Sequence, residues 1–322
     1  MEKPKTLQAA TKYFADDQVC IDTVARLRWS DGKPTCPACG HKDHYWLDKQ
    51  RRWKCKECWK QFSVKVGTIF EDSPLSLDKW LIALWMLVNC RNGVSSYEIG
   101  RSLGVSQKSG WFMLHRLRYA LQTGSITKLG AGGAPVEVDE TFIGGKARFM
   151  HRAKRERLNV QANNKAKTVV IGMLERNGKV RATVAENRKK QACEAAVREN
   201  VAKGANIITD EHPAYLGLRD TYTHQVINHL EGYVKENIHT NGIENFWSCL
   251  KRGLNGTYIA VEPFHLFRYV DEQAFRFNNR KDESGRVLSD GERFDAALSQ
   301  IGGKRLTFAE VTGKAAGSPE AF

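Results

Sequence analysis

The sequence predicts an α/β protein, because beyond residue 135 short β-rich runs alternate with amphipathic helical stretches. Two observations carry this most directly. Residues 167–176 and 179–185 are β-rich and are separated by Asn177-Gly178, the strongest short-range hairpin signal. Residues 241–254 place Ile243, Phe246, Trp247, Leu250 and Leu254 on one helical stripe. In chain order, 135–144 reads as a strand, the hairpin follows, and 191–203 reads as a helix. Residues 205–210 and 224–229 are further short strands, and a last helix starts after Pro263 and runs to about Asn279. Together they make a mixed sheet with helical crossovers.

Composition narrows the class of protein. The 322 residues carry 50 Lys+Arg against 36 Asp+Glu, a formal charge of +14, while 41% of the chain is hydrophobic. That is enough apolar material for a core, and the excess charge suits a polyanionic partner. No apolar run approaches the length needed to span a bilayer, and the start lacks the apolar core of a secretory signal. A membrane or secreted protein is therefore not expected; the expectation is a cytoplasmic protein with no membrane partner.

Four of the eight cysteines fall in two tight pairs, Cys36-Pro37-Ala38-Cys39 and Cys55-Lys56-Glu57-Cys58. This C-x2-C-x15-C-x2-C spacing fits a zinc ribbon, in which two knuckles present four thiolates to one tetrahedral Zn2+. Such a closed site is structural. Lys54, Lys56, Lys60, Arg51 and Arg52, interleaved with Trp53 and Trp59, give the ribbon a candidate nucleic-acid face.

Residues 71–123 are helical. Leu77, Trp80, Leu81, Leu84, Trp85 and Val88 recur at helical spacing after Ser76 as a cap. Ser95 and Glu98 then have capping-box spacing, Gly104-Val105-Ser106 makes a turn, and Ser106 caps a longer helix with Trp111, Leu114, Leu117 and Leu121 inward. A helix, a three-residue turn and a second helix form the DNA-binding helix-turn-helix, whose second helix would offer Gln107, Lys108 and Ser109 to base edges. The glycine-rich stretch 129–135 is the clearest boundary. The expected organisation is a ribbon over 1–70, a helix-turn-helix domain over 71–124, a catalytic domain over 125–283 and a C-terminal tail over 284–322.

Three carboxylates stand at informative places. Asp139 and Asp210 end strands, and Glu244 lies in the first turn of the 241–254 helix, where Asn241 would be its cap. Carboxylates at neighbouring strand ends, joined by one from a packed helix, form the hard oxygen cage that Mg2+ prefers. Two such ions serve phosphodiester chemistry by activating the attacking oxygen and stabilising the leaving one. Taken singly, each acid also reads as a solvated strand end, a turn or a helix-dipole partner; Pro213 would make His212 a cap. The basic stretch containing Lys146, Arg148, Arg152, Lys154, Arg155, Arg157, Lys165 and Lys167 reads as a phosphate-tracking loop, with Arg152, Lys154 and Arg155 as DNA contacts.

From about residue 15 to 280 the chain resembles insertion-sequence transposases of the DDE class, in the IS fifteen-ninety-five (ISXO-two-like) group. The resemblance rests on the ribbon, on Val136-Glu137-Val138-Asp139-Glu140-Thr141-Phe142-Ile143-Gly144-Gly145, on Thr209-Asp210-Glu211-His212, and on 239–253. It implies an RNase H-like catalytic fold with Asp139, Asp210 and Glu244 as the acids holding two Mg2+ or Mn2+. Lys251, two helical turns beyond Glu244, would be a basic catalytic residue. The implied function is a DNA transposase of a prokaryotic, nucleoid-associated kind. It would bind terminal repeats, hydrolyse the element ends and join the 3′-OH to target DNA. Its partners would be double-stranded DNA at the element ends and at the target, and it would act as a homodimer or higher assembly on DNA. The rivals are a catalytically silent DNA-binding regulator and a nuclease without strand transfer.

Overall fold

The computed structural model describes residues 3–122, 127–145, 152, 156, 167–227 and 239–314. The chain divides into two compact units, one of Met1–Thr123 with Asn279–Ala321 and one built on Gly124–Asn278.

The first unit opens with α1 (Leu7–Tyr13), capped by Thr6, and α2 (Asp17–Arg28), where Asp16 accepts from the amides of Gln18 and Val19. Three short antiparallel strands follow: β1 (His44–Leu47), β2 (Arg52–Cys55) and β3 (Gln61–Phe62). A sheet this small cannot bury much, so aromatic rings supply its core. Trp53 stacks on Phe62 at 5.7 Å and meets Trp29 edge-on at 5.4 Å. Trp53 thus lies inside, 7% exposed, and does not join the nucleic-acid face expected for it.

Helix α3 (Leu77–Asn89) buries the whole expected stripe, from Leu77 to Val88. Helices α4 (Ser96–Leu103) and α5 (Gln107–Ala120) flank the expected turn, with Gly104 in the left-handed region at φ 63°. The Ser95–Glu98 capping box forms, and Ser106 accepts from the Ser109 amide. Two glycines let the helices cross closely: a Cβ on Gly110 would stand 2.8 Å from the Ser96 carbonyl, and one on Gly100 3.0 Å from the Val105 carbonyl. Trp111 is only half-buried, whereas Leu114, Leu117 and Leu121 are inside.

The segment expected as a tail is structured and returns to this unit. A helix over Asp290–Leu298 inserts Phe294 between Phe14 (5.5 Å) and Trp85 (5.3 Å). A last turn, Phe308–Val311, packs on α5. Its sequence looks tail-like because only one or two apolar residues per turn are needed to dock a short helix on an existing core.

In the second unit the described residues form a five-stranded sheet from β4 (Val136–Ile143), β5 (Thr168–Glu175), β6 (Val180–Ala185), β7 (Asn206–Asp210) and β8 (Thr223–Ile227). Its order is β6-β5-β4-β7-β8. The first three strands are antiparallel, and β4, β7 and β8 are parallel to one another. The Asn177-Gly178 hairpin forms with Asn177 at φ 56°. Helix α6 (Lys190–Asn200) and the 3-10 turn Pro213–Asp220 cover one face, where Val136, Val138, Ile171, Val197, Tyr215 and Leu218 share a core. Helices α7 (Asn241–Gly253) and α8 (Leu266–Asn278) cover the other, where Ile243, Phe246, Trp247 and Leu250 pack on Val170 and Leu174. The glycine-rich stretch belongs to this unit and is no free linker. Leu129 is buried, accepts from the Ala202 amide at 2.8 Å and donates its own to the Asn200 carbonyl at 2.9 Å.

Candidate catalytic centre and nucleic-acid interface

Strand alternation sorts the residues of β4 onto two faces. Val136, Val138 and Glu140 point toward α6, while Glu137, Asp139 and Thr141 point toward α7. The register with β7 pairs Val136 with Ile207 and Glu137 with Ile208; the same offset carries Asp139 level with Asp210. Only Asp210 ends its strand; Asp139 lies in the middle of β4, which the antiparallel pairing with β5 carries on to Ile143, so it is not the strand end its sequence position suggests.

Asp139 is held by two donors. The Trp247 indole N–H donates to its Oδ2 at 2.9 Å, and the Glu140 amide donates to its Oδ1 at 2.8 Å. Burial, the neighbouring Glu140 charge and, last, Asp210 raise its pKa to about 6 despite those bonds. Asp210 takes the His212 amide at 3.1 Å in a local turn, and the Arg188 guanidinium lies 3.7 Å away. His212 caps the following turn through the Ala214 amide at 3.3 Å.

Glu244 is exposed in the first turn of α7, where the Thr240 hydroxyl donates to it at 3.2 Å. Lys251 is exposed in the last turn of the same helix. The three carboxylates do not converge into one tight cluster. Among the described residues, only Cys36, Cys39, Cys55 and Cys58 gather three or more ligand atoms within 4.8 Å.

Several residues that organise this centre were not singled out from the sequence. Glu137, 1% exposed, caps α7 from the sheet by accepting the Ile243 amide at 3.0 Å. It also takes Arg176 Nε at 3.1 Å, while Arg176 donates onward to the His239 carbonyl at 2.8 Å. The helix cap is thus Glu137 and not Asn241, which is exposed in the first turn; the N-cap residue itself is Thr240, without a side-chain capping bond. Gly242 permits this docking, since a Cβ there would lie 2.5 Å from Leu174 and 2.8 Å from Glu137. On the opposite face Glu140 accepts from the Tyr215 hydroxyl at 2.5 Å and pairs with Arg188. The available signal was three acids, Glu137, Asp139 and Glu140, within one apolar strand, because acids buried on a strand require partners.

The cysteines expected to hold zinc come together. Cys36 and Cys58 sulfurs are 3.6 Å apart, as are those of Cys39 and Cys55. Burial opposes ionisation of Cys36, yet the amides of Ala38 and Cys39 hold its pKa down to about 7. Four soft donors converging this way fit a structural Zn2+.

At the start of α5, Gln107 and Lys108 are exposed and Ser109 half-buried. Gln107 donates to Ser96 at 2.9 Å, Lys108 lies over the Phe308 ring at 4.9 Å, and Ser109 pairs with the Ser106 hydroxyl at 2.9 Å. Of the basic stretch after β4, Arg152 is exposed and paired with Glu156 at 2.7 Å. Lys154 and Arg155 lie outside the described residues. No helix among the described residues is long and apolar enough to cross a membrane.

A thiolate knuckle pair thus precedes a mixed sheet in which Asp139 and Asp210 lie level on adjacent parallel strands. Comparison with known families agrees in both parts. Residues 15–61 match the transposase zinc-ribbon domain, and residues 130–278 match the ISXO2-like transposase domain. Both models describe domains of IS1595 transposases, to which the chain is similar over those residues. It is also similar to a protein of Halobacterium salinarum described as an uncharacterized protein in transposable element ISH50. The two are 27% identical over 260 residues, covering 76% of this chain and 85% of that protein.

Proposed function

We propose that this chain is a DNA transposase that cleaves the ends of its element and joins them to target DNA. The observation that carries the reading is the parallel register that sets Asp139 level with Asp210, beneath the helix bearing Glu244. The strand order supports an RNase H-like fold, with three antiparallel strands continued by two parallel ones. Asp139, Asp210 and Glu244 would hold two Mg2+ or Mn2+, which when bound polarise the attacking and leaving oxygens of the phosphodiester.

The chain's own residues do the rest. Glu137 fixes the start of α7 on the sheet by taking the Ile243 amide, and Glu244, the next residue, would be presented to Asp139 and Asp210. Trp247 holds one oxygen of Asp139. In hydrolysis a water oxygen bonds to phosphorus, the P–O3′ bond breaks, and the water's proton passes to the leaving 3′ oxygen. In strand transfer the freed 3′-OH takes the place of water. Lys251 would neutralise DNA phosphate near the reacting bond. The helix pair α4–α5 would read the terminal repeats in duplex DNA, with Gln107, Lys108 and Ser109 at base edges and Arg152, Lys154 and Arg155 on phosphates. Two ends must be handled together, so a dimer or larger assembly forms on DNA.

Cleavage of DNA bearing the inverted repeats that flank the gene, with Mg2+, tests this. Asp139→Asn, Asp210→Asn and Glu244→Gln should each abolish hydrolysis and strand transfer while end binding persists; Lys251→Ala should be milder. Wild-type cleavage by Glu244→Gln would move the third role to Asn241 or Asn245. A silent DNA-binding regulator is the second reading, favoured by Arg188 lying against Asp210. End binding with no cleavage under any divalent ion would support it.

A further inference from the structure

The ribbon sheet has two unlike faces. Trp46 and Trp53 pair across the inner one, and Trp53 continues to Phe62. On the outer face Tyr45 pairs with Lys54, Leu47 with Arg52, and Lys54 with Gln61, so the strands place no acid there. Tyr45 is 51% exposed and Trp59, just past the second knuckle, is 60% exposed. Each ring has an ammonium against it: Lys54 Nζ lies 5.0 Å from the Trp59 centroid and Lys56 Nζ 5.1 Å from that of Tyr45. Trp59 also sits at φ +59°, a conformation that Gly or Asn adopts at far less cost.

We propose that this outer face binds unpaired DNA by stacking bases on Tyr45 and Trp59. A positive surface alone would serve duplex DNA, whose bases are already stacked and which offers only phosphates and groove edges. Exposed rings gain nothing from those, but they stack well on the free face of an unpaired base. A lysine on one side of each ring leaves the other side for the base and sets a cation beside the next phosphate. The basic, acid-free strands complement the backbone that would run between the two rings. This rests on the transposase reading only in taking the nucleic acid to be DNA, a strand frayed or freed at the element end being its source.

The test uses the full-length, zinc-loaded chain and a DNA oligonucleotide with 5-iodouracil at its middle, either single-stranded or fully paired. Ultraviolet crosslinking followed by peptide mapping should place adducts on Tyr45 or Trp59 with the single strand and not with the duplex. Trp59→Asn, which suits the left-handed backbone, should keep its melting temperature yet bind the single strand roughly tenfold more weakly. Its duplex affinity should change by less than about twofold. Equal adducts from the paired probe would overturn the proposal, as would no adduct within residues 44–60 from either probe. So would unchanged single-strand affinity in both Trp59→Asn and Tyr45→Ala. Mg2+-dependent end cleavage reads the other unit, so either idea can fail while the other stands.

Discussion

Trp247 donates its indole N–H to Asp139 across a gap that Gly172 leaves open. Gly172 is the cross-strand partner of Asp139 on β5, and a Cβ there would stand 2.5 Å from the Trp247 ring. One missing side chain thus allows a helix residue to reach the first acid. Groups that orient a metal ligand are typically worth a 10–100-fold change in affinity or activity.

That geometry predicts the behaviour of two variants. Trp247→Phe keeps the ring's bulk and loses the donor, so end cleavage should fall by about tenfold or more with a small change in melting temperature. Gly172→Ala must displace the ring, costing about 1–3 kcal/mol of stability in addition to the lost activity. Calorimetric Mn2+ titration of the free protein should show weaker binding in both. Unchanged Mn2+ affinity in Trp247→Phe would reduce the hydrogen bond to a packing detail.

Asp139 should make stability depend on pH in a particular direction. Its folded pKa, about 6, lies above the ordinary 3.8, so its contribution is fully present below about pH 4 and is lost as pH rises through 6. The loss is at most about 3 kcal/mol. Asp139→Asn cannot ionise and escapes it. Melting curves should therefore find the variant gaining on wild type between pH 4 and 7, offset in part by the second acceptor it gives up. A constant difference across that range would refute the shift.

Removing zinc should unfold the ribbon locally. Cys36→Ser, Cys58→Ser or a chelator should loosen the Trp29–Trp53–Phe62 cluster, because in so small a sheet the metal supplies folding energy. Near-ultraviolet circular dichroism and stoichiometric metal analysis check this. Binding of element ends should weaken with it.

Gln107→Ala and Lys108→Ala should reduce discrimination between terminal-repeat and random DNA. Loss of a phosphate contact instead lowers affinity for every sequence and reduces the salt slope by about one unit. Competition binding at two salt concentrations separates these outcomes. Unchanged sequence preference in both variants would remove α5 from the recognition role.

The sequence by itself determined whatever is local. The knuckle spacing, the capping box at Ser95, the Asn177-Gly178 turn and the stripe on α7 need only a few neighbouring residues, and each appears where the pattern put it. The placement of Asp210 at a strand end was legible for the same reason, whereas Asp139 reads as a strand end only until pairing with β5 carries β4 on to Ile143. Tertiary structure decided the rest, since pairing of distant segments leaves no periodic trace. Only the sheet order brings Asp139 beside Asp210, and only the docking of α7 makes Glu137 its cap in place of Asn241. Burial turned Trp53 inward and left Tyr45 outside, because a sheet of three strands can cover only one of its faces. The last residues likewise read as a tail until Phe294 found a slot between Phe14 and Trp85, a contact spanning nearly the whole chain.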